Sequence, residues 1–294
     1  LRDDFNIPGL RVADLPRIKR KSVMKRYFRA AGLAVPRARV CRTPAAARAF
    51  VRSVGGPVVA KPDVGVGAAR TYRIDGPGDL AAFLADKPPI DYILEEFVEG
   101  EIVTYDGLID RAGEVVFAST MTYSTGVLDS VAGSDIWYWI PRRIPADLDA
   151  AGRALVRALG IVERPFHFEF FRRPDGSLVG LELNIRPPGG LTVDMFNYSN
   201  DFDFYRLWAE VLLTGRAEAR PSRAYVCAYV GRKAGVAYAL SDEQVLTRFR
   251  NLIVHHERIA DVFAAAIGNR GFILRHPELE PIAAAARAIH ERVG

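Results

Sequence analysis

Two glutamates on either side of a turn signal are the residues of this sequence best placed to do chemistry. Read with a period of two, Pro165–Arg173 and Ser177–Arg186 each have an apolar face and a polar face. Phe166, Phe168 and Phe170 share one face of the first strand, and His167 and Glu169 share the other. On the second strand Val179, Leu181, Leu183 and Ile185 alternate with Gly180, Glu182 and Asn184. With Asp175-Gly176 as a two-residue loop, Pro174 stands opposite Ser177, Glu169 opposite Glu182 and His167 opposite Asn184. A three-residue loop with a bulge would shift the register and set Glu169 against Leu181, and the apolar pattern favours the first count. Facing carboxylates repel. A divalent cation would compensate, with Asn184 as a further oxygen ligand. Oxygen ligands alone suit magnesium. Read by itself, the hairpin is equally a solvated face whose acids pair with Arg172 and Arg186.

Lysine is scarce, with Lys19, Lys21, Lys25, Lys61, Lys87 and Lys233 the only ones, so a lysine closing an apolar strand stands out. Lys61 follows Val58-Val59-Ala60 and precedes Pro62-Asp63-Val64-Gly65-Val66-Gly67-Ala68. An ammonium beside a loop of small residues suits a phosphate, because backbone N–H groups can approach closely. The loop lacks the P-loop pattern and leads into a strand, as a flap over phosphates would. Its plain alternatives are a tight turn at Gly65 and Gly67 and a lysine snorkelling to water. Ile93-Leu94-Glu95-Glu96-Phe97-Val98-Glu99-Gly100 joins an apolar strand to an acidic connector. Its backbone could meet an adenine edge between apolar neighbours; alone, it is a strand ending at Gly100.

The elements that must hold these groups follow from periodicity and breakers. A helix is expected over 17–32, a strand over 35–41, and a helix from Pro44 to about Val54 with Thr43 as cap. Strands are expected at 58–60, 70–74 and 90–98, with a helix near 78–85 between the last two. Two strands fall within 102–122, a helix at 146–159, the hairpin at 165–186 and a helix at 201–215. Beyond Pro221 the pattern gives strands near 224–231 and 235–239 and helices near 242–252, 257–267 and 278–292. The fold class is α+β, with antiparallel hairpins rather than repeated βαβ units.

The chain of 294 residues carries a net charge of +5, but its basic residues are mostly scattered arginines without a nucleic-acid motif, which argues against nucleic acid as a partner. No apolar run reaches the roughly 18 residues of a membrane span, so no membrane association is expected. Cys41 and Cys227 lack metal spacing and read as buried thiols of a reducing, cytoplasmic compartment. His255, His256, His276 and His290 read as surface or packing residues. The N-terminus shows no signal peptide, and Leu1 in place of Met fits a fragment or a processed product.

Taken in order, these segments resemble the ATP-grasp superfamily over about residues 15–215. The resemblance is carried by Lys21 and the helix ending Ala30-Ala31-Gly32-Leu33, Val58–Pro62 with its loop, Leu94–Gly100, Tyr105-Asp106-Gly107-Leu108, Phe168-Glu169, and Leu181–Pro187. It implies two α+β subdomains clasping ATP within 16–220, a lid subdomain over about 35–95, and a C-terminal α+β extension over 221–294. Lys21 and Lys61 would contact phosphates and residues 63–68, including Gly65 and Gly67, would cover them. Glu95, Glu96, Phe97 and Val98 would form the adenine hinge, with Glu101 a candidate for the ribose. Glu169, Glu182 and Asn184 would hold magnesium, or manganese in its place. Arg186 would sit near the transferred phosphoryl group. His167 stands where related ligases often have arginine, so it is a candidate for hydrogen bonding there. Tyr123-Ser124-Thr125-Gly126 and Pro187-Pro188-Gly189-Gly190 could line a carboxylate pocket, or be plain turns.

The implied function is an ATP- and magnesium-dependent ligase that activates a small carboxylate as an acyl phosphate for an amine. The alternatives are a nucleotide-binding regulatory module without turnover and a bicarbonate-using carboxylase. The family's usual N-terminal Rossmann-like domain is nearly absent, residues 1–15 resembling its exit segment. A homo-oligomer is compatible with this reading.

Overall fold

A computed structural model of the chain describes residues 1–6, 9–65, 70–124 and 133–293. They form two compact units. The first comprises Leu1–Gly100, Ala151–Gly160 and Phe168–Asn184, and the second Glu101–Ala150, Ile161–His167 and Ile185–Gly294.

In the first unit the expected helix over 17–32 is broken in two, α1 (Leu15–Lys19) and α2 (Lys21–Ala30). Between them Arg20 is extended, with ψ 115, and bridges to Val64. The buried stripe of α2 is Lys21, Met24, Lys25 and Phe28, the spacing of one helical face. Two lysines therefore point inward on a helix whose remaining face is wet.

Four antiparallel strands follow, β1 (Ala38–Cys41), β2 (Val58–Pro62), β3 (Tyr72–Ile74) and β4 (Tyr92–Glu96), in the order β1-β4-β2-β3. Helices α3 (Pro44–Val54) and α4 (Pro77–Asp86) supply Phe50, Leu80 and Phe83 to a core with Val58, Ala60, Tyr92 and Leu94. As expected, Pro44 opens α3 and the Thr43 hydroxyl accepts from the Ala46 N–H.

The hairpin turn differs from the two-residue reading. The Arg173 N–H donates to the Ser177 carbonyl, and the Gly176 N–H donates to the Arg173 carbonyl, so the loop is Pro174-Asp175-Gly176. Gly176 has φ +84, and Asp175 accepts from the Ser177 N–H. Proline suits the first loop position and a left-handed glycine the third, which together make the three-residue hairpin with its bulge. The turn count that sets Glu169 opposite Glu182 is therefore corrected. Beside the hairpin, Ala34 pairs in parallel with Val179, and the Gly180 N–H donates to the Ala34 carbonyl. Phe28 fills the space a Cβ on Gly180 would need, at 2.3 Å, and lies edge-on to Phe170.

The second unit is built on a sheet in which β5 (Glu101–Ile109), β7 (Thr122–Tyr123), β8 (Ile136–Ile140), β11 (Val226–Arg232), β13 (Arg270–His276) and β12 (Ile253–Arg258) lie side by side, with β6 (Val115–Ser119) on β5. One core joins Leu108, Phe117, Tyr138, Phe196, Phe204 and Tyr229, and another joins Val230, Phe272, Leu274, Ile282 and Ala286. The expected strand over 235–239 is a single bridge, Tyr238 to Arg292. The expected helix over 257–267 is the end of β12 followed by a short helix, Asp261–Ile267. No helix among the described residues is long and apolar enough to cross a membrane.

Candidate functional site

The first unit gathers the predicted lysines and acids at the N-terminal end of α2. Asp63, just past β2, prepares that end. Its carboxylate accepts from the Ser22 N–H at 2.8 Å and from Arg20 Nη1 at 3.2 Å, and its carbonyl accepts from the Lys21 N–H at 2.8 Å. A side chain from another strand thus satisfies the first donors of a helix, as a local cap would. Lys21 Nζ then stands 2.9 Å from Glu182 Oε1 and 3.1 Å from the Gly65 carbonyl. This ties the start of the glycine loop and the second hairpin strand β10 (Leu178–Asn184) to one ammonium.

One turn along α2, Lys25 shares a second carboxylate with Lys61. Glu95 Oε1 lies 2.9 Å from Lys25 Nζ, and its Oε2 lies 3.2 Å from Lys61 Nζ. All three side chains are buried. Burial opposes ionisation of Glu95, but Lys61 and Lys25 outweigh it and hold the carboxyl below its ordinary range. Burial also lowers Lys25 to about 8, with Glu95 pulling the other way and Lys61 adding to the fall. The side chain of Glu95 is therefore an inward ion-pair bridge. Lys25 belongs to no motif in the sequence, although its spacing from Lys21 places it on the same helical face.

In the hinge segment, the Glu96 N–H donates to the Arg37 carbonyl and the Phe97 N–H to the Pro57 carbonyl, both at 2.9 Å. Arg37 also holds the Glu96 carboxylate at 2.6 Å. Phe97 is covered by Arg73 at 4.4 Å. The Glu96 N–H is thus taken up within the sheet.

Glu169 is half-buried on β9 (Pro165–Arg172), and Asn184 follows Glu182 by two residues on β10, so these last two share a face. Among the described residues no three His, Cys, Asp or Glu side chains form a metal cluster by themselves. A carboxylate with an amide oxygen beside it fits magnesium, which keeps waters and phosphate oxygens in its shell. Gly67 lies outside the described residues, as do Thr125 and Gly126.

The second unit holds the remaining candidates. His167 is buried, and its Nδ1 is 2.5 Å from Asp106 Oδ1 on β5. Thr104 donates its hydroxyl to the other oxygen of Asp106 and accepts from the Met121 N–H. His167 is therefore held in a polar string inside the sheet. The Arg186 guanidinium is exposed and donates to the Pro187 carbonyl at 2.7 Å. Glu101 is exposed at the start of β5. Thr192, after the Pro187–Gly190 turn, donates to the Gly189 carbonyl at 2.9 Å.

Residues 54–194 match the family model of the ATP-grasp domain. Among solved structures, the chain is similar to L-amino acid ligase from Bacillus licheniformis, with a TM-score of 0.76 and 19% identity over 98% of this chain and 74% of that one. It is similar to N5-carboxyaminoimidazole ribonucleotide synthetase from Thermus thermophilus, with a TM-score of 0.73 and 17% identity over 99% of this chain and 78% of that one. Phosphoribosylglycinamide synthetase from Anaerococcus prevotii follows with a TM-score of 0.63 and 14% identity, over 98% of this chain and 76% of that one. No curated protein matches the sequence. The chain has the ATP-grasp fold, α+β as its sequence implied, and the resemblance to that superfamily is borne out.

Proposed function

We propose that the first unit binds ATP with magnesium, and that the chain is a ligase joining a small carboxylate to an amine. The observation that carries the reading is a cluster of buried lysines at one end of α2. Three lysine ammoniums, Lys21, Lys25 and Lys61, share two carboxylates, Glu182 and Glu95, beside the glycine loop. Ammonium groups gathered beside a loop of small residues suit a polyphosphate, whose oxygens accept from them. The similarity to solved L-amino acid ligase and ribonucleotide synthetase structures supports the same reading.

In this proposal Lys21 and Lys61 neutralise phosphates, and the loop from Gly65 through Gly67 covers them. Glu182 and Asn184, with Glu169 as second carboxylate, hold magnesium, which would neutralise phosphate oxygens when bound. The Glu96 carbonyl and Val98 N–H meet the adenine edge, beside Glu95 and Phe97. Glu101 is the candidate for the ribose, and Arg186 and His167 are the candidates for the acyl half of the reaction. The γ-phosphoryl group passes to the substrate carboxylate, ADP leaves, the amine attacks the acyl carbon and phosphate departs. The protein's part is positioning and charge neutralisation.

The test is ADP release by the purified chain with magnesium-ATP across amino acids and other small carboxylates, with and without amines. Carboxylate-dependent ADP with a matching condensation product supports the ligase. Tight ATP binding with no ADP across the panel overturns turnover in favour of a nucleotide-binding module. Bicarbonate-stimulated ADP without an amine overturns amine ligation in favour of carboxylation.

A further inference from the structure

Lys25 is a buried ionisable group to which the proposed phosphate contacts give no role. It lies on the buried stripe of α2, with Glu95 of β4 in contact and Lys61 on the other oxygen of the same carboxylate. A lysine 3% exposed is a poor structural choice. An apolar side chain of similar length would fill the space without a desolvated charge. Its retention therefore calls for a partner that needs it, and the geometry names that partner. Glu95 offers one oxygen to each lysine, so a Glu95 carboxylate facing Lys61 alone would be free to swing both oxygens onto it and draw its ammonium inward.

We propose that Lys25 is a positioning residue for nucleotide binding, which holds one oxygen of Glu95 so that Lys61 keeps its ammonium available to a phosphate. This rests on the reading of the first unit as an ATP site. The charged groups acting on Lys25 are Glu95 on β4, Lys61 on β2 and Arg29 on α2 itself. Because Lys25 is lowered to about 8, its hold on Glu95 is released in mildly alkaline solution, and nucleotide affinity should fall there.

The experiment is calorimetric titration of the full chain with magnesium-ATP between pH 7 and 9.5, for the wild type, Lys25→Met and Lys25→Arg, with unfolding midpoints measured in parallel. The expected result is a folded Lys25→Met protein with affinity weakened about tenfold at pH 7, the low end of the coupling between close charge pairs. The wild type should show an alkaline loss of affinity centred near pH 8 that Lys25→Met lacks. Lys25→Arg should recover affinity at pH 7 and hold it above pH 8. Equal affinity and equal pH profiles in wild type and Lys25→Met would overturn the proposal. If Lys25→Met does not fold, Lys25→Arg decides alone, since an unchanged alkaline loss there also overturns it. A wild type that binds no ATP at any pH overturns the nucleotide reading itself, a result distinct from the other two.

Discussion

Lys21 and Glu182 meet at 2.9 Å across 161 residues of sequence, joining the first residue of α2 to the second strand of the hairpin. Both side chains are largely shielded from water, so neither charge is well placed without the other. The pair gives the first prediction. Glu182→Gln removes a carboxylate from the proposed magnesium site and leaves Lys21 without its counter-ion. Magnesium-dependent ADP formation should drop at least about a hundredfold, the scale of losing one preorganised charge partner. Steady-state kinetics with a magnesium titration checks it, and an unchanged rate would rule out the role of Glu182.

A second prediction concerns the helix start. Asp63→Ala strips the Ser22 N–H of its acceptor and Arg20 of its ion pair. The cap alone is worth about 1 kcal/mol. Chemical unfolding should show a loss of at least that size, and Asp63→Asn, which keeps one acceptor, should lose less. Equal stability of all three proteins would mean that Asp63 does not cap α2.

Packing supplies a third. Gly180→Ala drives a methyl into the Phe28 ring, and overfilling a packed core of this kind costs about 1–3 kcal/mol. Phe28→Leu, which costs stability by itself, should cost less in the Gly180→Ala background, because the added methyl finds the vacated space. Additive losses would show that the two positions do not touch.

For pH dependence the sign follows from Lys25. Its folded pKa of about 8 lies below the ordinary 10.5, so between those values the unfolded chain binds more protons. The Lys25 contribution to stability therefore rises with pH across that window, by up to about 3 kcal/mol. Glu95 acts at the other end. Its carboxyl is depressed, so its stabilising contribution is present at neutral pH and disappears in acid. Unfolding curves from pH 7 to 10.5 for wild type against Lys25→Met isolate the lysine, and parallel curves would contradict the assignment.

Within the second unit, Asp106→Ala leaves His167 without its carboxylate, which should cost about 1–3 kcal/mol. His167→Ala and Asp106→Ala should be non-additive in both stability and turnover, since they break one contact. A double-mutant cycle measures this, and full additivity would separate the two residues.

Much of the site is legible in the sequence because rare residue types stand at element ends. Lys61 closing an apolar strand, Lys21 opening a helix and Glu182 alternating with leucines all carry their signal locally. Lys25 carries the same signal in a form easy to pass over, since a lysine on a helix is ordinarily a solvated one. Only its spacing from Lys21, Met24 and Phe28 shows that it faces inward. The contacts of Asp63 and Asp106, residues that the motifs include, are hidden for another reason, as their partners lie in distant segments and no spacing announces them. The turn at Pro174–Gly176 departs from the sequence expectation because Asp-Gly alone signals a two-residue loop, and the proline before it shifts the preference to three. Strands β8, β12 and β13 escape periodicity where aromatic or charged residues mask the alternation, as in Trp137, Trp139, His255 and His256. The sheet supplies the pairing that their own sequence does not advertise.

If the buried lysines and the Glu182 carboxylate form a working magnesium-ATP site, removing either kind of charge must stop turnover. The most direct measurement is ADP release with a carboxylate substrate for wild type, Glu182→Ala and Lys61→Ala under saturating magnesium-ATP. Carboxylate-dependent ADP formation is expected in the wild type, with its abolition in both variants. ADP formation unchanged in the two variants would contradict the site.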